Sequence, residues 1–113
     1  MNALEHLTPE EQHALEELRS SLNDLLGPDR FRMILFGSKA RGDDDEESDL
    51  DVAVIVNNLD RTIKRQVIDV VVRIEFKHDV VIGSWVVSSE EFEKLRSRER
   101  RIALDIEREG ITL

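Results

Sequence analysis

The sequence predicts an α+β (α/β) domain with a small mixed β-sheet of about three to four strands and helices packed mainly on one face. Two apolar segments, at 31–36 and 50–56, have the length and the β-branched or aromatic content of strands. Leucines recur at helical spacing before the first of them, and a third apolar segment at 79–87 follows another amphipathic segment. Strand signals that alternate with helix signals are typical of a sheet covered by helices.

The composition is that of one globular domain. The 113 residues match the usual length of a single domain, and a chain with 40% hydrophobic and 36% charged residues folds and is well solvated. The absence of cysteine excludes a disulfide framework and fits a reducing compartment. The sequence has neither a secretory leader pattern nor an apolar run of membrane-spanning length, so we expect a cytoplasmic protein without membrane contact.

The net charge limits the kinds of partner. At −9 the chain repels a phosphate backbone, so direct binding to nucleic acid is not expected. A site for one nucleotide is still compatible with this charge, because bound divalent cations reverse the local sign.

The first helix is predicted at about 9–26. Thr8 can cap it, Pro9 suits its first position, and Glu11 completes a capping box. The Gly-Pro pair at 27–28 ends it. Its apolar stripe consists of Leu15, Leu18, Leu22, Leu25 and Leu26.

The first strand is predicted to run from Phe31 to Phe36 and to lead into a tight polar turn. Gly37 and Ser38 follow the strand directly, and Ser38 can cap a short helical turn through Arg41. An acidic stretch at 43–48 comes next and is expected to be a solvated spacer loop.

The second strand, 50–56, carries a carboxylate pair at its head. Because strand side chains alternate between faces, Asp49 and Asp51 share one face with Ala53 and Ile55. The opposite face is expected to pack on helices and consists of Leu50, Val52, Val54 and Val56.

A second long helix is predicted from the cap at Asp60 to about Lys77. Its β-branched run at 70–72 leaves a strand as the competing interpretation. Its apolar stripe consists of Ile63, Val67, Val70, Val71 and Ile74.

The C-terminal third is predicted as a strand followed by helix. The strand, 79–87, begins at Asp79 and places Gly83 and Trp85 on the face of that carboxylate. A helix is expected at about 90–109, and its basic cluster at 96–101 leaves two shorter helices as the alternative.

Carboxylates at this spacing are suited to divalent metals. Asp49 and Asp51 are two residues apart on a strand, hence about 7 Å apart at their bases, and can bracket a metal pair. Magnesium prefers oxygen ligands. In nucleotidyl transfer, two such ions clamp the attacking and leaving oxygens.

The turn after the first strand is suited to phosphate. Gly37 allows the backbone to approach a phosphate closely, and the Ser38 hydroxyl can donate to it. Lys39 and Arg41 can add positive charge there. The carboxylate pair and this turn together predict metal-assisted chemistry on a nucleotide.

These residues also carry a family resemblance. Gly37-Ser38, ten residues, and then Asp49-Leu50-Asp51 resembles the signature of the DNA-polymerase-β-like nucleotidyltransferase superfamily. The fuller pattern, Gly-Ser-Lys-Ala-Arg-Gly at 37–42 and Ser-Asp-Leu-Asp at 48–51, is similar to its minimal, MNT-type branch. The resemblance covers roughly 10–113 and implies that 1–113 is a single minimal nucleotidyltransferase domain.

The resemblance implies roles for the residues. Asp49 and Asp51 would bind two Mg²⁺ ions, and Ser38 would hold the terminal phosphates of ATP, with Gly37, Lys39 and Arg41 around them. Asp79 would be the third catalytic and metal-binding carboxylate, with Asp60 and Asp69 as alternatives.

The resemblance further implies a partner. Small members of this kind pair with a HEPN-domain toxin and, as antitoxins of type VII-like systems, transfer AMP from ATP to a tyrosine of that toxin. Two alternatives are a non-catalytic antitoxin that neutralises its partner by binding, and transfer to a small molecule such as an aminoglycoside. Because one small domain cannot enclose an acceptor, we expect a different chain or a second copy, in a homo-oligomer, to complete the cleft.

Overall fold

Helices and strands alternate along the computed structural model, which describes residues 7–42 and 49–113. In chain order the elements are α1 (Pro9–Leu26), β1 (Phe31–Phe36), α2 (Ser38–Arg41), β2 (Leu50–Val56), α3 (Arg61–His78), β3 (Ile82–Ser88), α4 (Ser89–Ser97), α5 (Arg101–Glu109) and β4 (Ile111–Thr112). The predicted acidic loop at 43–48 lies outside the described residues.

The four strands form one mixed sheet in the order β3-β2-β1-β4. β1 pairs antiparallel with both β2 and β4, whereas β2 and β3 are parallel. A parallel pair needs a crossover connection, and α3 provides it. The predicted α/β class and small mixed sheet are therefore confirmed.

The larger core lies between the sheet and the two long helices. The predicted inner face of β2 is buried there against Leu18 and Leu22 of α1 and against Val67 and Ile74 of α3. The opposite face of the sheet carries a smaller core. It includes Ala53 and Ile55 of β2, Phe92 of α4 and Ile106 of α5. The long helices thus share one face, as expected, and the two short C-terminal helices cover part of the other.

The local signals of the long helices act as predicted. The Thr8 hydroxyl accepts from the Glu11 backbone N–H at 3.1 Å, and Glu11 Oε1 accepts from the Thr8 backbone N–H at 2.9 Å. Asp60 caps α3 through Ile63 N at 2.8 Å. The alternative of a strand at 70–72 is wrong, because burial of one face of α3 outweighs the weak helix propensity of valine.

Two local predictions need correction. The third strand begins at Ile82, because α3 continues to His78 and Asp79 caps it in the left-handed conformation, with φ 52°. Ser38 is the first residue of α2 rather than its cap, and Gly37 occupies the cap position with φ 77°.

The predicted C-terminal helix is divided, as its alternative form predicted. α4 ends at Ser97 and α5 begins at Arg101, and Glu99 between them has φ 55°. Within the described ranges, no helix combines the length and the low charge needed to cross a membrane.

The larger core predicts a sharp difference between two leucines of α1. Leu18 is 0% exposed, whereas Leu25 is 36% exposed. We expect Leu18→Ala to lower the free energy of unfolding by about 2–5 kcal/mol, because it removes buried contacts and leaves a cavity. Leu25→Ala, the control in the same helix, should cost less than about 1 kcal/mol. Urea denaturation measures both, and equal losses would contradict this account of the core.

Candidate active site

Asp51 occupies the centre of the sheet near one end. It lies in β2 on the face of the smaller core, where Phe36 of β1 is its neighbour on one side and Gly83 of β3 its neighbour on the other. Because Phe36 ends β1, the turn that begins at Gly37 rises directly beside the Asp51 carboxylate. The pairing of β1 with β2 thus brings the two halves of the predicted site together.

Two glycines make room for the Asp51 carboxylate. A Cβ atom added to Gly37 would collide with Asp51 Oδ2, and one added to Gly83 would lie 2.9 Å from Oδ1. The carboxylate therefore spans the space above two residues without side chains. Gly37 also has a positive φ, which glycine adopts at least cost.

The electrostatics of the site favour a cation. Burial raises the pKa of the Asp51 carboxyl, the negative charge of Asp49 raises it further, and Arg41 acts in the opposite direction. Asp49 is exposed directly beside the head of β2. Because the ionised form of Asp51 is poorly solvated and repelled by Asp49, a bound cation would relieve both penalties.

The donor set suits magnesium held in part by its substrate. Asp49 and Asp51 supply carboxylate oxygens, and Mg²⁺ is commonly bound by one or two carboxylates together with substrate phosphates and water. Among the described residues, no three acidic, histidine or cysteine side chains form a group that could hold a metal. The two carboxylates therefore fit such an ion, with the remaining ligands left to substrate and solvent.

Asp79 is not brought to this carboxylate pair. It is exposed and caps the C-terminus of α3, three residues before β3 begins. The residue of β3 that pairs with Asp51 is Gly83. The sequence interpretation assigned Gly83 no role, although a glycine inside a strand often marks a close approach, and that signal could have identified it.

The two cations of the turn have different surroundings. The Lys39 side chain is 4% exposed, and its ammonium nitrogen lies 3.0 Å from Glu11 Oε2 in the capping box of α1. Arg41 is exposed, and its Nη1 lies 3.1 Å from Glu109 Oε2 of α5. Lys39 thus connects the turn that begins at Gly37 to α1, whereas Arg41 lies close enough to Asp51 to affect its pKa.

Ser38 is placed as a candidate phosphate ligand. It opens α2, whose backbone bonds run from Ala40 N and Arg41 N to Gly37 O and from Gly42 N to Ser38 O. The first N–H groups of a helical turn have no acceptor within it and therefore point outward, as the anion-binding arrangement requires.

Comparisons with known proteins identify similar sequences among nucleotidyltransferases. Residues 15–108 match the family model described as a nucleotidyltransferase domain. Two proteins of Methanocaldococcus jannaschii, each named a "putative protein adenylyltransferase", are similar to the chain. One is 38% identical over 70 residues, which are 61% of this chain and 71% of the relative. The other is 39% identical over 84 residues, which are 74% of this chain and 80% of the relative.

A solved structure has the same fold. The crystal structure of a "putative nucleotidyltransferase" from Sulfolobus solfataricus aligns with a TM-score of 0.51 and 18% sequence identity, over 91% of this chain and 75% of that one. At this identity the likeness concerns the arrangement of helices and strands alone.

The buried ion pair predicts that Lys39 stabilises the fold. We expect Lys39→Met to lower the free energy of unfolding by about 3–5 kcal/mol, because Glu11 is left 13% exposed without this cation. The matched control is Arg41→Met, whose pair with Glu109 is more than 40% exposed at both ends and should matter by less than about 1 kcal/mol. Thermal and urea unfolding measure the two variants. An equal or smaller loss for Lys39→Met would rule out the anchoring role.

Proposed function

The chain belongs to the nucleotidyltransferase domain family, and from this premise we propose that it transfers AMP from ATP, with Mg²⁺ bound, to a tyrosine hydroxyl of a partner protein. The observation that carries the proposal is the Asp51 carboxylate, lying between Gly37 and Gly83 beside the turn that Ser38 opens. The names of the two archaeal relatives support a protein as the acceptor.

Each part of the site meets one demand of the reaction. The triphosphate lies along the turn at Gly37 and Ser38, where backbone and hydroxyl donors can hold its terminal phosphates. Asp49 and Asp51 would hold the magnesium, which supplies neutralisation of the charge that builds on the phosphoryl oxygens. Arg41, at the end of the same turn, adds positive charge close to Asp51.

The proposed transfer is a single displacement at the α-phosphorus of ATP. The tyrosine oxygen attacks the α-phosphorus, and a bond forms between them. The bond from that phosphorus to the oxygen bridging the β-phosphorus breaks, and pyrophosphate leaves with its electron pair. The phenolic proton passes to solvent.

The partner in this proposal is a HEPN-domain toxin, with the chain as antitoxin of a type VII-like pair. The support is the resemblance of the Gly-Ser and Asp-Leu-Asp motifs to minimal family members that act in this way. Modification of the tyrosine by AMP would then neutralise the toxin covalently.

One observation favours a second candidate, a binding subunit that neutralises its partner without catalysis. Gly83 stands beside Asp51, and among the described residues no third acidic side chain joins the pair. A domain with two carboxylates could retain the partner surface while catalysing slowly or not at all.

The Asp51 carboxylate separates the two candidates. Incubating the chain with a HEPN-domain partner, α-labelled ATP and Mg²⁺ should label the partner. Asp51→Asn should reduce that labelling by about a hundredfold or more, because the charge that holds the metal is lost. If the unmodified chain and Asp51→Asn both form a tight complex with the partner and neither labels it, the binding subunit would be favoured.

Asp79→Asn is the matched control. Asparagine tolerates the left-handed conformation that Asp79 adopts, so the helix cap is kept while the charge is removed. If Asp49 and Asp51 carry the chemistry, labelling should stay close to that of the unmodified chain. A loss as large as that of Asp51→Asn would restore Asp79 as the third carboxylate.

The Gly37 turn makes a separate prediction. Gly37→Ala should abolish Mg²⁺-dependent ATP binding, because its Cβ would displace the Asp51 carboxylate. Gly42→Ala is the control: Gly42 also has a positive φ, 79°, but an added Cβ would meet no described atom within 4 Å. That variant should bear a backbone penalty of about 1–2 kcal/mol and still bind ATP. Isothermal titration measures both, and similar binding by the two variants would contradict the placement.

A further inference from the structure

β3 lies at the edge of the sheet in the described structure, and its outward backbone groups can be identified. Leu50 N donates to Val81 O at 3.0 Å, so the backbone groups of Val81 point towards β2. Successive residues of a strand direct their N–H and C=O groups to opposite sides. Ser84 and Val86 therefore direct theirs away from β2, where an additional strand could pair with them.

The flank of α3 lies beside this edge. The backbone N–H of Ile82, which points outward, donates to Glu75 Oε2 at 3.1 Å. Ile68, Val72 and Glu75 are spaced i, i+4 and i+7, so they share one side of the helix. The hydrogen bond of Glu75 consequently places the two apolar residues on the side of α3 that faces the free edge.

These apolar residues are exposed. Ile68 is 39% exposed and Val72 is 42% exposed, and Phe76 farther along the same helix is 85% exposed. α1 packs on the other side of α3, where Lys77 and His78 meet Glu17 at 2.7 and 3.2 Å. The edge of β3 and the exposed side of α3 together form a shelf with backbone donors and acceptors along one wall and apolar side chains along the other.

On the opposite face of the sheet, a path leads from the same edge to the reacting centre. Gly83 lies between the edge and Asp51. Among the described atoms, a Cβ added to Gly83 would meet Asp51 Oδ1 at 2.9 Å and then Leu50 O at 4.0 Å. Trp85, the next residue of β3 on this face, has a large side chain that packs with Phe92 at a centroid distance of 6.3 Å. Access from the edge to Asp51 is therefore open at Gly83 and filled at Trp85.

Because alternate side chains of a strand point to opposite faces, one added strand could contact both the apolar side of α3 and the opening at Gly83. The residues on one face would contact Ile68 and Val72, and the residue between them would project over Gly83. Neighbouring strands lie about 4.8 Å apart. The added strand would therefore lie about 9.6 Å from β2, with β3 between them. The Asp51 carboxylate covers part of this distance because it lies over Gly83, and a tyrosine side chain can cross the rest. The hydroxyl of serine or threonine lies too close to its own backbone to do so.

We propose that the acceptor protein docks an extended segment as an extra strand on the free edge of β3, with its tyrosine over Gly83 and apolar residues on either side of that tyrosine against α3. This inference rests on the proposed function and names how the acceptor of that same site is recognised. It selects tyrosine by reach and a Φ-Tyr-Φ pattern by the alternation of faces, where Φ is an apolar residue. Main-chain pairing supplies affinity and the alternate side chains supply specificity.

Ser84 provides the decisive variant. Proline at an outward-facing edge position is compatible with the sheet, but it removes the N–H group that an added strand would use. Ser84→Pro should lower AMP transfer to a short synthetic peptide, whose single tyrosine has valine on both sides, by about tenfold or more. Ser84→Ala keeps the backbone N–H and is the matched control, with transfer expected close to that of the unmodified chain. The assay uses the full chain, α-labelled ATP and Mg²⁺, and ATP binding by Ser84→Pro should be unchanged.

The α3 wall is tested by pairing a variant with a second peptide. Val72→Ser, at an exposed position, should weaken transfer to the valine-flanked peptide and have little effect on one whose tyrosine is flanked by serine. A third peptide, with serine in place of tyrosine, should remain unlabelled.

The outcomes distinguish the docking inference from the proposed function. Undiminished transfer by Ser84→Pro, or equal labelling of the serine and tyrosine peptides, would overturn docking at this edge. The same holds if the chain binds ATP with Mg²⁺ in a manner sensitive to Asp51→Asn and labels none of the peptides. Failure of the unmodified chain to bind ATP with Mg²⁺ would overturn the proposed function itself, and the docking inference with it.

Discussion

The central constraint of this structure is a carboxylate at the middle of a sheet whose oxygens lie over two glycines. The Asp51 carboxylate has room because Gly37, in the turn after β1, and Gly83, in β3, have no side chains. Its burial and the charge of Asp49 make the ionised form costly in the protein alone. Such a site favours a bound cation, because the cation offsets the free-energy cost of keeping Asp51 ionised in the folded protein.

The two faces of the sheet carry different features. The larger core, against α1 and α3, holds most of the buried apolar side chains. The opposite face carries the smaller core and, at the end beyond it, Asp51. The buried pair of Lys39 and Glu11 connects the two, because it ties the turn above the site to the first turn of α1. α1, which packs in the larger core, is thereby joined to the turn beside Asp51 on the opposite face of the sheet.

The openness of the site follows from the strand order. β3 forms the edge of the sheet, so only one strand separates Asp51 from that edge. Gly83 is the residue of β3 beside Asp51, and it has no side chain to cover the path between them. The exposed side of α3 adds apolar contact next to the same edge. A domain with this layout suits an acceptor that arrives as part of another macromolecule, because the acceptor can supply the missing wall of the cleft.

The sequence by itself determined the long helices, the first two strands and the two motifs of the candidate site. The helix caps, the leucine spacing and the alternation in β2 are local signals, so they predicted the long helices, the central strand and the face shared by Asp49 and Asp51. Tertiary structure decided which residues approach Asp51, although the glycine inside β3 was a local sign of a close approach. Where β3 begins depends on how far α3 extends, and this length placed Gly83 rather than an acidic residue beside the carboxylate. Likewise Lys39, part of a motif that suggested phosphate contact, lies against Glu11, which is distant in sequence. Contacts across strands and between helices depend on register and packing, and no local pattern of residues encodes them.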